Sequence, residues 1–169
     1  MKRFSVRVLA EIGLAGALSI VLSMFDFYRM PQGGTVNLAM LPVFVLAFRR
    51  GPAAGVATGV LAGALQMLVD PFFVHPLQVT LDYFLAWGAL GLAGFLPGSI
   101  PLGILLGSAG RFVFHYISGV WYFAHFAPEG MAAWHYVSAY ILSHLLPASA
   151  LSAIVCMILA RRLKVREKN

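Results

Sequence analysis

The side chains in this sequence that could do chemistry are few, and they recur at helical spacing. Asp82 follows Gln78 by four residues, His115 follows Arg111 by four, and Tyr136, Tyr140 and His144 form a third series at the same interval. Residues four apart share one helix face, so each series marks a polar stripe on an otherwise apolar helix. A carboxylate, two imidazoles and phenols suit a small cationic aromatic ligand. The carboxylate can pair with charge or accept hydrogen bonds from an amine, and aromatic faces attract cations through their quadrupole. Catalysis fits worse. There is no Gly-x-x-x-x-Gly-Lys-Ser/Thr phosphate loop, no Cys or His cluster with structural-zinc spacing, no serine elbow and no HExxH. An enzyme using His115 and Asp82 would lack an activated nucleophile. Binding or transport is expected, without metal or cofactor.

The elements that carry these stripes follow from composition. Of 169 residues, 60% are hydrophobic and only 11% charged, whereas soluble domains have about 45–50% apolar and about 25% charged residues. Disorder, nucleic-acid reading and a disulfide scaffold are excluded, and the lone Cys156 lies in an apolar run. A membrane-spanning helix needs roughly 20 apolar residues. Six segments are candidates, at about 6–25, 36–48, 52–69, 76–96, 101–123 and 134–160, separated by Gly- and Pro-rich breaks. The second is the weakest, being short and carrying Pro42. Basic clusters at Lys2, Arg3 and Arg7, at Arg49 and Arg50, and in the tail 161–169 fall on one side if there are six spans. The positive-inside rule makes that side cytoplasmic. A cleaved signal peptide fits less well, because its apolar run is usually about 7–15 residues. The expectation is one all-α membrane domain over 1–169, a six-helix bundle with both termini cytoplasmic.

Depth then brings the stripes together. Counting at 1.5 Å per residue from the outer ends of their segments, Asp82 lies about 9 Å deep, His115 about 12 Å, and the Tyr136–His144 stripe reaches about 15 Å. Ionisable groups at such depth normally face a bundle interior or a watery cavity, and a pocket open to the outside meets that need. Basic groups look scarce there, which argues against a phosphorylated ligand. Plainer readings stand beside this one. Asp82 could pair with Arg111, His115 and His144 could join helices, and Trp121, Tyr122 and Trp134 could belong to an interfacial aromatic belt. Glu11 could snorkel or pair with a cytoplasmic Arg, and His75, His125 and His135 lie in or beside the outer loops. Gly55, Gly59 and Gly63, and likewise Gly103 and Gly107, repeat at four-residue spacing, which favours close helix packing within the bundle. Gly13 and Ala17 could instead face another membrane protein.

The run Pro31-Gln32-Gly33-Gly34-Thr35-Val36-Asn37-Leu38-Ala39-Met40-Leu41-Pro42, followed by Ala47-Phe48-Arg49-Arg50-Gly51, resembles the thiamine-specific substrate-binding component of energy-coupling factor (ECF) transporters, the ThiT/YuaJ type. So do His75-Pro76-Leu77-Gln78 with Leu81-Asp82-Tyr83, Arg111-Phe112 with His115 and Gly119, and Ala127-Pro128-Glu129-Gly130-Met131 with Trp134 and Tyr136. The similarity spans nearly the whole chain, in order.

The resemblance implies a six-helix subunit of a bacterial cell membrane that captures thiamine from outside, in a cavity covered by the first loop. It also implies docking on a transmembrane coupling protein that carries two cytoplasmic ATPases, which explains the missing phosphate loop. Gly13 and Ala17 fall where the family's helix one presents Ala-x-x-x-Ala to that partner. Asp82 takes the place of the acid that hydrogen-bonds the aminopyrimidine, and Tyr83 follows it as in the family. His115 matches the ligand-stacking His, Gly119 the Gly one turn on, and Tyr136 the Tyr opening helix six. Tyr28 stands for the loop-one aromatic, and Trp121 or Phe123 for the tryptophan ending the fifth helix. Departures are Ile141 where an Asn contacts the pyrimidine, His144 where Tyr is common, and Ala39 and Ala148 at places often acidic. A ligand group left unpaired by the missing Asn would cost about 1–3 kcal/mol. These departures leave a thiamine precursor or another vitamin as an alternative, with a non-transporting membrane scaffold as the other.

Overall fold

The sequence breaks act as helix boundaries in the computed structural model, which describes residues 4–159. Lys2, Arg3 and the basic tail 161–169 lie outside the described residues, as does the expected end of the last helix at 160. Ser5 caps α1 (Val6–Ser23), its side chain accepting from Val8 N, the role for which Ser is favoured at a helix start. Pro and Gly act in pairs elsewhere. Gly51, at φ 90°, ends α2 (Leu41–Arg50), and Pro52 opens α3 (Pro52–Val69). Among the described residues, four helices are long and apolar enough to cross a membrane: α1, α3, α6 (Ile100–Tyr122) and α7 (Ala133–Leu159).

The two remaining sequence segments are irregular, each for a visible reason. The second begins later than expected. Thr35–Val36 is strand β2, paired antiparallel with β1 (Tyr28–Arg29), so the loop after α1 is a small hairpin turning at Gly33 (φ 91°). The helix proper starts at Leu41, with Pro42 in its first turn. Its 10 residues rise only about 15 Å, yet six of them are buried, with Val43, Phe44, Ala47 and Phe48 fully enclosed.

The fourth segment is one continuous helical rod of changing pitch. It runs as α4 (Pro76–Val79), a π-helical stretch (Thr80–Leu85), α5 (Ala86–Ala89) and a 3-10 stretch (Leu90–Phe95). The glycines of α3 explain where it packs. A Cβ at Gly63 would strike the Tyr83 carbonyl, and one at Gly59 the Trp87 carbonyl, so the two backbones touch. Gly103 and Gly107 of α6 seat against Phe48, Phe44 and the carbonyls of Ala93 and Leu90. The small-residue stripes of α3 and α6 therefore pack inside the bundle, as their spacing suggested. On α1, Ile12, Gly16 and Ser19 are buried while Gly13 and Ala17 are exposed. At the foot of α1, Glu11 accepts two hydrogen bonds of 2.6 Å from Arg50 of α2, which is the pairing the sequence offered for that acid.

Candidate functional site

The rod, α6, α7 and the hairpin part at one end of the bundle around a cavity of about 650 Å³. Asp82 sits in its wall within the π-helical stretch, where Ala86 N bonds Leu81 O five residues back. Such widened turns recur at functional sites because they shift the register of the side chains they carry. Three groups hold the carboxylate. Oδ2 accepts from Gln78 Nε2 at 2.8 Å and from the Ser118 hydroxyl at 2.8 Å, and Oδ1 pairs with His115 Nδ1 at 2.9 Å. Gln78 is fixed at its other end, where its Oε1 accepts from Val74 N.

Arg111 lines the cavity but makes no ion pair with Asp82. Its guanidinium lies over the Trp87 ring, 4.3 Å from the centroid, a geometry attractive to cations. Among the described residues, Arg111 Nη1 and Gln66 Oε1 are the buried side-chain polar atoms without a hydrogen-bond partner, and both residues face the cavity. Arg29 reaches the rim of the same cavity, so the expected scarcity of basic groups is corrected. The sequence placed Arg111 a turn below His115 but could not say which way it turned.

The hairpin roofs the space. Gly34 N donates to Tyr140 Oη at 2.7 Å, and Ser143 Oγ to Met30 Sδ at 3.3 Å. A Cβ on Gly34 would press into His144 and the Tyr140 hydroxyl, so only glycine seats the turn this low. Across the rim, Arg29 pairs with Asp70 at 2.5 Å and with Asp26 at 3.3 Å. Tyr140 stacks on Tyr136 and meets His144 edge-on, which makes the α7 stripe a continuous aromatic wall.

Similarity to known proteins can be set against this arrangement. The family described as thiamine transporter protein (Thia_YuaJ) matches residues 9–167. The chain belongs to this family. It is therefore a membrane transport component and not an enzyme. Thiamine transporter ThiT of Bacillus subtilis (strain 168) is 34% identical over 170 residues, covering 89% of this chain and 88% of that protein. Thiamine transporter ThiT of Lacticaseibacillus paracasei is 28% identical over 149 residues, 76% of this chain and 74% of that one. The structure of ThiT from Listeria monocytogenes matches with a TM-score of 0.84 at 23% identity, covering 93% of this chain and 94% of that chain. That likeness is one of fold.

Within this family member, nine of the residues singled out in the sequence line one cavity. They are Gln78, Asp82 and Tyr83 from the rod, His115, Gly119 and Phe123 from α6, and Tyr136, Tyr140 and His144 from α7. Two of them also have structural work. Tyr83 Oη accepts from Phe72 N and donates to Asp70 O, tying down the loop after α3. Gly119 lies where a Cβ would strike Val137, so it lets α7 close on α6. Three others are not brought to the cavity. Trp121, Trp134 and Tyr28 are 67%, 60% and 60% exposed, the position an aromatic belt gives its members. Ser118, which bonds Asp82, and Trp87, which lines the cavity, do not stand out in the sequence. Serine is common in apolar helices and carries no warning of burial, and Trp87 lay in the middle of an unbroken apolar run.

Proposed function

We propose that the chain is the substrate-capturing membrane subunit of a vitamin uptake transporter of the ECF type, with thiamine as its ligand. The observation that carries the reading is Asp82: an acid set among apolar helices, held by three hydrogen bonds at the wall of a roofed, aromatic-lined cavity. A buried acid that only joined helices would not need such a space beside it. Thiamine offers a pyrimidine amine for the carboxylate and a fixed thiazolium charge for aromatic faces. Asp82 receives the amine, His115 and the Tyr136–Tyr140 wall take the rings, and Arg111 Nη1 and Gln66 Oε1 meet further polar groups. Phe123 stands at the cavity wall, while Tyr28, Trp121 and Trp134 contact the ligand at the rim only once the hairpin moves.

In this reading the whole chain is one membrane domain of a bacterial plasma membrane with both termini cytoplasmic. The four long helices, the rod and the short α2 make six helices, and the cavity opens in the outer leaflet. A transmembrane coupling protein docks on the exposed Gly13–Ala17 face of α1 and links the chain to two cytoplasmic ATPases. No cofactor takes part, since the vitamin is moved without chemical change.

Ile141, which lines the cavity where the resembling family carries an amide, supports a second reading: the ligand is a thiamine precursor or a related vitamin. Titration of intrinsic fluorescence separates the two readings, because Trp87 lines the cavity while the other two tryptophans are outside it. Thiamine should quench the purified protein at submicromolar concentration, and Asp82→Asn should weaken binding by roughly tenfold to a hundredfold with little change in melting temperature. Absence of quenching by thiamine, with quenching by the pyrimidine fragment alone, would favour the precursor. No response to either would end the transport reading.

A further inference from the structure

We propose that Ser118 and Gln78 are positioning residues that fill one oxygen of Asp82. They leave the site a single acceptor position and select a ligand that presents one N–H rather than a fork of two. The inference rests on the thiamine reading and deepens it.

Side-chain hydroxyls in the helices of this protein mostly bond their own helix. Ser19, Thr58, Ser138 and Ser152 all donate to the carbonyl four residues back, the usual habit of Ser and Thr in apolar helices. Ser108 and Ser149, which bond each other between α6 and α7, and Ser118 break that pattern. Ser118 is wholly buried, and its hydroxyl crosses from α6 to the rod to reach Asp82 Oδ2. Gln78, 1% exposed, meets the same oxygen with its amide nitrogen, while its amide oxygen is held by Val74 N. That second bond fixes the amide orientation, so the nitrogen cannot turn away. Both donors are buried and would be left unpaired if they released the carboxylate, so both hydrogen bonds persist whether or not the cavity is filled.

A carboxylate has about four lone-pair positions. Three are occupied: two on Oδ2 by Gln78 and Ser118, and one on Oδ1 by His115. The remaining position lies on Oδ1. A guanidinium or amidinium binds a carboxylate through two parallel N–H groups, one to each oxygen, and here the second oxygen is already taken. An exocyclic aromatic amine needs only one. The cradle thus turns a generic anion into a one-point hydrogen-bond acceptor of fixed direction.

The test compares thiamine with an analogue in which the pyrimidine amine is replaced by hydrogen, using the purified full-length chain. Wild type should favour thiamine by roughly tenfold or more. In Ser118→Ala, thiamine binding should weaken about tenfold while the desamino analogue changes by less than about twofold, so that the discrimination largely disappears. Gln78→Met should reproduce that loss of discrimination if Ser118→Ala proves unstable. In an Asp82→Asn background, Ser118→Ala should have no further effect on the ratio. An amidinium probe should gain affinity in Ser118→Ala as Oδ2 becomes free. Wild-type discrimination that survives both substitutions overturns this inference alone. Wild type that binds neither compound overturns the thiamine reading and this inference with it.

Discussion

The two sides of the fourth helical rod are built on opposite terms. On its α3 side the contact is backbone to backbone: the carbonyls of Tyr83 and Trp87 rest against Gly63 and Gly59, and Gly91 lies against Gly55 and Val56. On its α6 side the C-terminal half of the rod is closed as well, Leu90 and Ala93 lying against Gly107 and Gly103, but nearer its N-terminus, at Asp82, the rod faces about 650 Å³ of open space. In lipid there is no hydrophobic force between helices, so close van der Waals contact between small residues must supply the association. One side of the rod is locked so that the other can hold a buried acid at a fixed place beside a void. A site that spends its own wall contacts on a ligand needs its rigidity supplied from behind.

The sharpest way to break that contrast is to fill the locked side. Gly63→Val puts a branched side chain into the Tyr83 carbonyl, which is backbone and cannot rotate aside. Ordinary overpacking costs about 1–3 kcal/mol, and this substitution should reach or exceed the upper end. The expected result is loss of the monodisperse folded species in detergent, or a large fall in thermal midpoint. Gly13→Val is the matched control, since nothing lies within 4 Å of a Cβ there. It should leave melting and thiamine binding unchanged while abolishing uptake in cells, if α1 docks on a coupling partner. A Gly63→Val protein that melts like wild type would show the rod to be adaptable, and the contrast would fail.

The same contrast decides what could be read from sequence. Asp82, His115 and the Tyr136–Tyr140–His144 stripe were legible because polar groups at membrane depth are expensive and helical spacing says which of them share a face. The glycine stripes were legible for the same geometric reason. Pitch was not. Nothing in Thr80–Leu85 marks a π-helical turn, and the Tyr83 carbonyl within it seats against Gly63 of another helix. Ser118 and Arg111 show a second limit. Spacing put Arg111 on the face of His115 and gave Ser118 no notice, and their partners, the Trp87 ring and the Asp82 carboxylate, stand on the rod. Tertiary direction, not periodicity, settles such pairings. The hairpin was read only as a turn, since two-residue strands carry no alternation to detect.

The roof allows a smaller test of the open side. Tyr140→Phe keeps the aromatic wall but removes the acceptor for Gly34 N. A neutral hydrogen bond contributes about 0.5–1.5 kcal/mol, so thiamine should leave roughly two- to tenfold faster, as measured by stopped-flow recovery of Trp87 fluorescence. Equilibrium stability should hardly move. An unchanged dissociation rate would mean that the hairpin is held by its rim and not by α7.

The rim itself should give the weakest effect, and one that behaves differently. Arg29 and Asp70 are about half exposed, at 56% and 53%, and Arg29 has a second partner in Asp26. Exposed ion pairs are worth about 0–1 kcal/mol, so Asp70→Asn should speed dissociation by at most about fivefold. That gain should vanish near 1 M salt, where charges are screened within about 3 Å. The loss on Asp82→Asn should persist at every salt concentration, because its partners are shielded from ions by the helices around it. If instead the Asp70→Asn effect were salt-independent, the rim pair would be acting as a buried contact. The hairpin would then be part of the locked structure, and the boundary between the two regions would have to be redrawn to include it.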